Sequence, residues 1–228
     1  MIKMEYTETI KIRTTLPVLP PITAREEILT PRLLIRAPRL SDVPALHLLR
    51  TEHEVMKHSL KGVDKTLEDT VRSLDEAFPP NDTNNYHFLI FERDTGELVG
   101  KGGVHNLLSR RFGWPEFGYS FKQAAWGKGY ATEFVNGFLE GWWSLPRKEI
   151  EIDVDPKTVD AEAGSTPTVV ELLTAIADAK NVGSVRVLEK TKFNKFTLWD
   201  GIDDREASKG QAVTVAGFLM AAPSKKSI

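Results

Sequence analysis

The stretch 115-PEFGYSFKQAAWGKGYATEFVNGFLEGWW-143 reads as a strand, a glycine loop and a helix, and the rest of the chain is arranged around it. Counted from Ala131, the apolar residues Phe134, Val135, Phe138, Leu139, Trp142 and Trp143 fall at offsets of 3, 4, 7, 8, 11 and 12. That is the period of a helix whose apolar stripe packs on a large core. Upstream, Glu116-Phe117-Gly118-Tyr119-Ser120-Phe121 has the aromatic, polar-interrupted pattern of a strand. Between them, Gly127 and Gly129 flank Lys128, so the backbone turns without a Cβ penalty where the first helical N–H groups are unpaired. A helix start of this kind suits an anion; an ordinary tight turn is the other reading. Two common phosphate loops do not fit. A P-loop needs Ser or Thr directly after Gly-Lys, but Gly129 follows Lys128. A dinucleotide fingerprint needs a third glycine where Thr132 stands.

Trp126-Gly127-Lys128-Gly129-Tyr130-Ala131-Thr132-Glu133 resembles the acetyl-CoA pyrophosphate loop of the GNAT N-acetyltransferases, in the ribosomal-protein acetyltransferase-like (RimJ/RimL) branch. The family pattern is Arg or Gln, two residues, Gly, one residue, then Gly or Ala. Trp126 stands at the Arg/Gln position, as looks typical of this branch, with Gly129 and Ala131 at the other two. The resemblance implies an α+β GNAT fold, a mixed, mostly antiparallel central sheet flanked by helices. It also implies that backbone N–H groups of residues 127–132 hold the pyrophosphate of acetyl-CoA, with Phe121, Trp126 and Tyr130 part of the same cofactor site.

With 228 residues there is room for one sizeable domain or two small ones, and 41% hydrophobic content is ordinary for a packed protein. A net charge of −2 provides no basic field to gather nucleic acid, and no apolar run approaches the roughly 20 residues of a membrane span. Cysteine is absent, which removes disulfides, thiolate catalysis and Cys-ligated zinc together. With no charged-then-apolar leader at Met1, the expected location is cytoplasmic.

Residues 1–27 alternate weakly through Met4, Tyr6, Ile10 and Ile12, then break at Leu16-Pro17 and Leu19-Pro20-Pro21, which reads as an arm and a proline linker. Leu29-Thr30-Pro31-Arg32-Leu33-Leu34-Ile35-Arg36 resembles the opening strand of the branch, so one domain is expected over residues 28–223. Ser41 is placed to cap a helix carrying Val43, Leu46, Leu48 and Leu49, and Thr66 to cap a second through Val71, Leu74 and Phe78 before Pro79-Pro80. By family analogy both lie on the substrate side. His53 and His58 lie five apart without an i, i+4 partner or carboxylate cluster; no metal is assigned. Residues 87–91 and 98–100 flank a glycine turn as a hairpin, residues 102–107 continue as a third strand, and 116–121 completes a meander into the loop. Strands first and then a strand–loop–helix crossover indicate α+β with a mixed sheet.

Beyond Ser144-Leu145-Pro146 the pattern is less decisive. Residues 148–155, KEIEIDVD, alternate as a strand would, whereas 169–180 have the residues of either a buried strand or a short helix. The resemblance makes 172–178 the fifth core strand and 181–190 the following helix, and leaves 147–168 as an acidic insertion. Asp153, Asp155, Asp160 and Glu162 in it lack calcium-loop spacing and read as a solvated loop. Lys192 stands where the family has glycine before Phe193, which leaves the geometry of that turn open. Residues 196–199 and 212–220 read as closing strands, and Lys225-Lys226 as a frayed tail.

Acetyl transfer to an amine needs a neutral amine, a polarised thioester and a proton for the thiolate, and no covalent nucleophile. Many GNAT enzymes use a late-helix tyrosine for that proton; Leu188 is at the matching position, leaving Ser184 as the nearby hydroxyl. Asn181 and Ser184 are the CoA-side candidates, with helix capping as the alternative role. Glu116 is the first candidate base and His105 the second, while Glu133 is read as complementing the helix dipole. The expected partners are acetyl-CoA and an amine acceptor, either a protein or peptide N-terminus or a small amine, with a homodimer allowed. A catalytically weak CoA-binding regulatory or scaffold protein is the alternative. A nucleic-acid face built from Arg110, Arg111, Trp114 and Lys128 would need those residues contiguous.

Overall fold

The computed structural model describes residues 8–160 and 166–224. Met4 and Tyr6 of the arm, Glu162 of the acidic group and the Lys225-Lys226 tail lie outside the described residues. In chain order the elements are β1 (Ile10–Pro17), β2 (Ile28–Leu29), β3 (Leu33–Arg36), α1 (Val43–Arg50), α2 (His53–Met56), α3 (Leu67–Asp75), β4 (Tyr86–Glu92), β5 (Leu98–Asn106), β6 (Glu116–Phe121), α4 (Tyr130–Ser144), β7 (Arg147–Val154), β8 (Leu172–Asp178), α5 (Val182–Lys190), β9 (Asn194–Ile202) and β10 (Ala212–Ala221). The eight-stranded sheet runs β2-β3-β4-β5-β6-β8-β10-β9. Its pairs are antiparallel except β6 with β8, which run parallel.

The sheet is closed by α4 and α5 on one face. Phe134, Val135, Phe138, Leu139 and Trp142 are all buried, as the stripe requires, and pack with Tyr86, Phe88, Phe117, Leu173, Ala175 and Leu188 in one cluster. Each fully buried aromatic of this kind contributes roughly 1.5–3 kcal/mol, so α4 is held by its packing rather than by its two interior glycines, Gly137 and Gly141. Residues 169–180 resolve as strand: β8 alternates buried Leu173, Ala175 and Ala177 against the helices with Leu172 and Ile176 on the other face.

The opposite face carries two separate covers. At one end α1, α2 and α3 bury Leu46, Leu49, Val55, Met56 and Leu74 on Leu89, Phe91 and Leu98. The Thr66 cap forms as expected, its side chain accepting from Asp69 N in a capping box. Ser41 is exposed; Asp42 takes the N-cap position of α1, its carboxylate held by Arg36 at 2.7 and 2.8 Å and by Arg39 N at 2.7 Å. At the other end β1 pairs antiparallel with β7, Ile10 opposite Val154 through Pro17 opposite Arg147. The arm and the first part of the insertion are therefore one two-stranded ribbon. Ile12, Leu16, Ile152 and Val154 bury it against Phe112 and Trp114. Buried Glu171 fastens it to β8, accepting from Thr15 Oγ1 at 3.1 Å and Arg147 Nε at 2.9 Å.

At Lys192 the backbone keeps the left-handed turn that the family makes with glycine, φ 69°. A lysine adopts this region at a cost of about 1–2 kcal/mol.

Candidate active site

The parallel pair β6–β8 registers only at Glu116 opposite Thr174 and Phe117 opposite Ala175. Residues 118–121 make no further pairing with β8, so the sheet is split in its middle just where the glycine loop begins. After the split the chain makes a short 3-10 turn at Gln123–Ala125 and reaches Gly129, the N-cap of α4. Gly127 and Gly129 sit at φ 73° and 82°, a conformation that L side chains rarely adopt. The first intrahelical bond runs from Glu133 N to Gly129 O at 3.1 Å, which leaves the amides of Tyr130, Ala131 and Thr132 without a carbonyl one turn back. These exposed glycines and open amides form a cradle that fits a pyrophosphate.

The side chains around the cradle are committed elsewhere. Trp126 Nε1 donates to Phe121 O at 2.8 Å, and the Phe121 ring is buried in the α4 core, so Phe121 offers no side chain to a ligand. Tyr130 donates its hydroxyl to Glu92, with the Arg32 guanidinium 4.7 Å over its ring. Glu133 does more than complement the dipole. It accepts from Thr30 Oγ1 at 2.7 Å, Arg32 N at 2.8 Å and Arg32 Nε at 2.7 Å, while Arg32 donates to Lys128 O at 2.9 Å. The opening turn before β3 thereby holds the loop.

At the start of α5, Asn181 caps the helix, its Oδ1 accepting from Ser184 N at 3.1 Å. Ser184 Oγ lies 3.3 Å from the Tyr119 hydroxyl. Tyr119 was missed in the sequence although it stands in the opening stretch, because a strand aromatic carries no signal of the helix it meets. Burial pushes its pKa up to about 12, so the hydroxyl stays protonated near neutrality.

The split opens into a cavity of about 540 Å³ between α1–α3 and the β8–β10 end of the sheet, reaching through to Tyr119, Ser184 and Leu188. Glu116 and His105 both line it. Glu116 accepts from Ser109 Oγ at 2.6 Å. A β-bulge between Val104 and Asn106 re-aims His105; its Nδ1 lies 2.8 Å from His87 Nε2, and its Nε2 lies over Gly118, where a Cβ would meet it at 2.5 Å. His105 lines the cavity with its ring open to it; the protein packed around that cavity desolvates it and, with nearby Lys101, lowers its pKa to about 4. His87 is held well below the usual histidine range by burial and by His105. Both rings are therefore neutral at pH 7. His58 also lines the cavity, whereas His53 is exposed.

The loop leading to Glu116 is clamped from the ribbon. Trp114 is fully buried and donates Nε1 to Thr158 Oγ1 at 2.9 Å, and Asp155 N donates to Phe112 O at 3.1 Å. Burial of Trp114 also removes the aromatic that the nucleic-acid face required.

A sheet split at its one parallel pair, with an open-amide glycine loop and helix at the split, is the arrangement expected from the resemblance to acyl-CoA-dependent acyltransferases. Residues 32–194 match the acetyltransferase (GNAT) domain, and the chain belongs to that family. It is 27% identical over 200 residues to a Bacillus licheniformis protein named uncharacterized N-acetyltransferase p20, covering 86% of this chain and 96% of that one. Among solved structures it is similar to a GNAT-family acetyltransferase from Bacillus anthracis, TM-score 0.62 at 20% identity over 86% of this chain and 99% of that one. Spermidine N-acetyltransferase from Vibrio cholerae, solved with CoA and spermine, gives 0.61 at 13% over 85% and 97%. Ribosomal-protein-S5-alanine acetyltransferase from Vibrio fischeri gives 0.62 at 13% over 89% and 100%. At these identities the structures share the fold. Among the described residues no group of carboxylates and imidazoles is arranged to hold a metal, and no helix is long and apolar enough to cross a membrane.

Proposed function

We propose that this chain is an acetyl-CoA-dependent N-acetyltransferase of the RimJ/RimL-like branch that acetylates a primary amine by direct transfer in a ternary complex. The split between β6 and β8 carries this reading, because Glu116 to Ser120 of β6 line the polar cavity and the same strand runs on to the amide cradle. The amides of residues 127–132 hold the pyrophosphate, and Asn181, whose Oδ1 caps α5, has its Nδ2 available to the pantetheine arm. When bound, acetyl-CoA supplies the thioester carbon to which the amine nitrogen bonds as the carbon–sulfur bond breaks, the sulfur leaving as a thiolate that takes up a proton.

Glu116, oriented by Ser109, accepts the proton that the acceptor nitrogen loses. His105 is a second route, favoured by its contact with Gly118 and its neutral state, but a base with a pKa near 4 is a weak proton acceptor at pH 7. On the donor side the Tyr119–Ser184 hydroxyl pair stands where the family's helical tyrosine is missing, and donates a hydrogen bond toward the departing sulfur.

Thiol release against an amine panel tests this. Glu116→Gln is expected to lower kcat by about 10²–10⁴-fold with acetyl-CoA affinity unchanged, and His105→Gln by less. Full activity in Glu116→Gln would transfer the role to His105. Acetyl-CoA binding with no acetylation of any peptide or small amine would favour the regulatory alternative.

A further inference from the structure

The floor of the cavity on the α1–α3 side holds more positive charge than its neighbours neutralise. Arg50 on α1 is 2% exposed and forms a bidentate pair with Asp64 through Nε and Nη2. Thr70 Oγ1 completes that carboxylate at 2.7 Å, so Asp64 is fully engaged. Arg50 Nη1 remains, buried and without a hydrogen-bond partner among the described residues. On β5, opposite Ser120 of β6, Lys101 lines the same cavity, and no hydrogen bond or ion pair joins its ammonium to a described residue. The remaining cation nearby, Lys61, is taken by Glu76.

A half-buried ammonium without a partner, and a guanidinium whose Nη1 is unpaired and sealed from solvent, are costly to fold. Lys101 is half-buried, and its desolvation, with the charges of Arg50 and Lys61, brings its pKa down to about 7. Residues kept in such a state at a ligand cavity are completed by the ligand, and two cationic donors select an anion. The site is separate from the pyrophosphate cradle, which uses backbone amides on the far side of the split.

We propose that Lys101, with the charge of Arg50 on the same cavity, forms an anion subsite for the acceptor, so that the amine acetylated here carries a carboxylate or phosphate rather than being a polycation. This rests on the acetyl-transfer reading and narrows its acceptor. A polyamine would place a second ammonium against Lys101; an ω-amino carboxylate or an amino-alkyl phosphate would neutralise it while its amine reaches toward Glu116.

The test compares an alkylamine, the ω-amino carboxylate and the amino-alkyl phosphate of matched length, and spermidine, with wild type, Lys101→Met and Lys101→Arg. Acetylation is followed by thiol release, and binding in the presence of CoA by the unfolding temperature. One or both anionic amines should exceed the alkylamine about ten- to hundredfold in kcat/KM; which one does so separates carboxylate from phosphate. In Lys101→Met that preference should vanish through KM, and Lys101→Arg should retain it. Spermidine as best acceptor, or an anion preference that survives Lys101→Met, would overturn the subsite. So would the absence of both turnover and a stabilising shift with every anionic amine while acetyl-CoA still binds. Failure of wild type to bind acetyl-CoA, measured separately by calorimetry, would instead remove the transfer reading beneath it.

Discussion

The two sides of the split sheet are built in different ways. On the donor side, β6, the glycine loop and α4 are contiguous, and the loop's ligand-facing groups are backbone amides, so its side chains are free to lock it in place. On the acceptor side the walls are scattered along the chain: α1 and α3, the bulge at His105, β8 and Arg205, with the loop carrying Ser109 clamped by a ribbon whose strands are up to 144 residues apart, as in the pairing of Ile10 with Val154. Backbone recognition makes a site that one ligand class fits; a cavity lined by side chains from scattered segments can change its acceptor without disturbing the donor side.

The largest effect expected from this contrast is in Asp64→Ala. It leaves Arg50 charged and unpaired at 2% exposure and should cost about 3–5 kcal/mol in denaturant unfolding. Retained acetyl-CoA affinity in the folded fraction would confirm that the two sides are separable, and a joint loss would break the contrast. Lys101→Met is expected to act in the opposite direction. The folded pKa of Lys101, about 7, lies below its ordinary 10.5, so the unfolded chain binds the extra proton between these values and wild-type stability rises with pH across that window. The variant should be the more stable protein at pH 7, with a flatter rise toward pH 10. A lysine that served the fold would give destabilisation instead. The smallest effect is Lys192→Gly, which relieves a left-handed lysine and should raise stability by about 1 kcal/mol without changing either site.

The same contrast governs what the sequence made legible. The stripe of α4, the Thr66 cap and the strand–loop–helix order depend on local periodicity and turn chemistry, and each appears in the fold; the meander has one strand fewer than expected, because residues 98–100 and 102–107 belong to the single strand β5 (Leu98–Asn106), which runs on through its glycines. The ambiguity at residues 169–180 was real, because a strand with apolar residues on both faces looks like a buried helix until its neighbours are known; β8 has α4 and α5 behind it and Phe112 and Phe196 in front. The ribbon was not legible as one unit: alternation marked residues 10–12 and 148–155 separately, but pairing across such a separation leaves no local trace. Ser41 lost the N-cap position to Asp42 because Arg36, five residues before Ser41, decides where a carboxylate is held. In the candidate site, Glu116, His105 and Ser184 all reach the one cavity, while Tyr119, Lys101, His58 and Arg50 were missed because what singles them out is burial and the lack or presence of a distant partner.

The most direct measurement is thermal unfolding with and without acetyl-CoA, in wild type and Gly129→Glu. Acetyl-CoA at about 100 times its dissociation constant should stabilise the wild type by about 2.7 kcal/mol. Glu at a position with φ 82° beside the open amides places a negative charge where the pyrophosphate is held, and should abolish the shift. An equal shift in both proteins would contradict the cradle at residues 127–132, and no shift in wild type at millimolar acetyl-CoA would contradict the transferase reading as a whole.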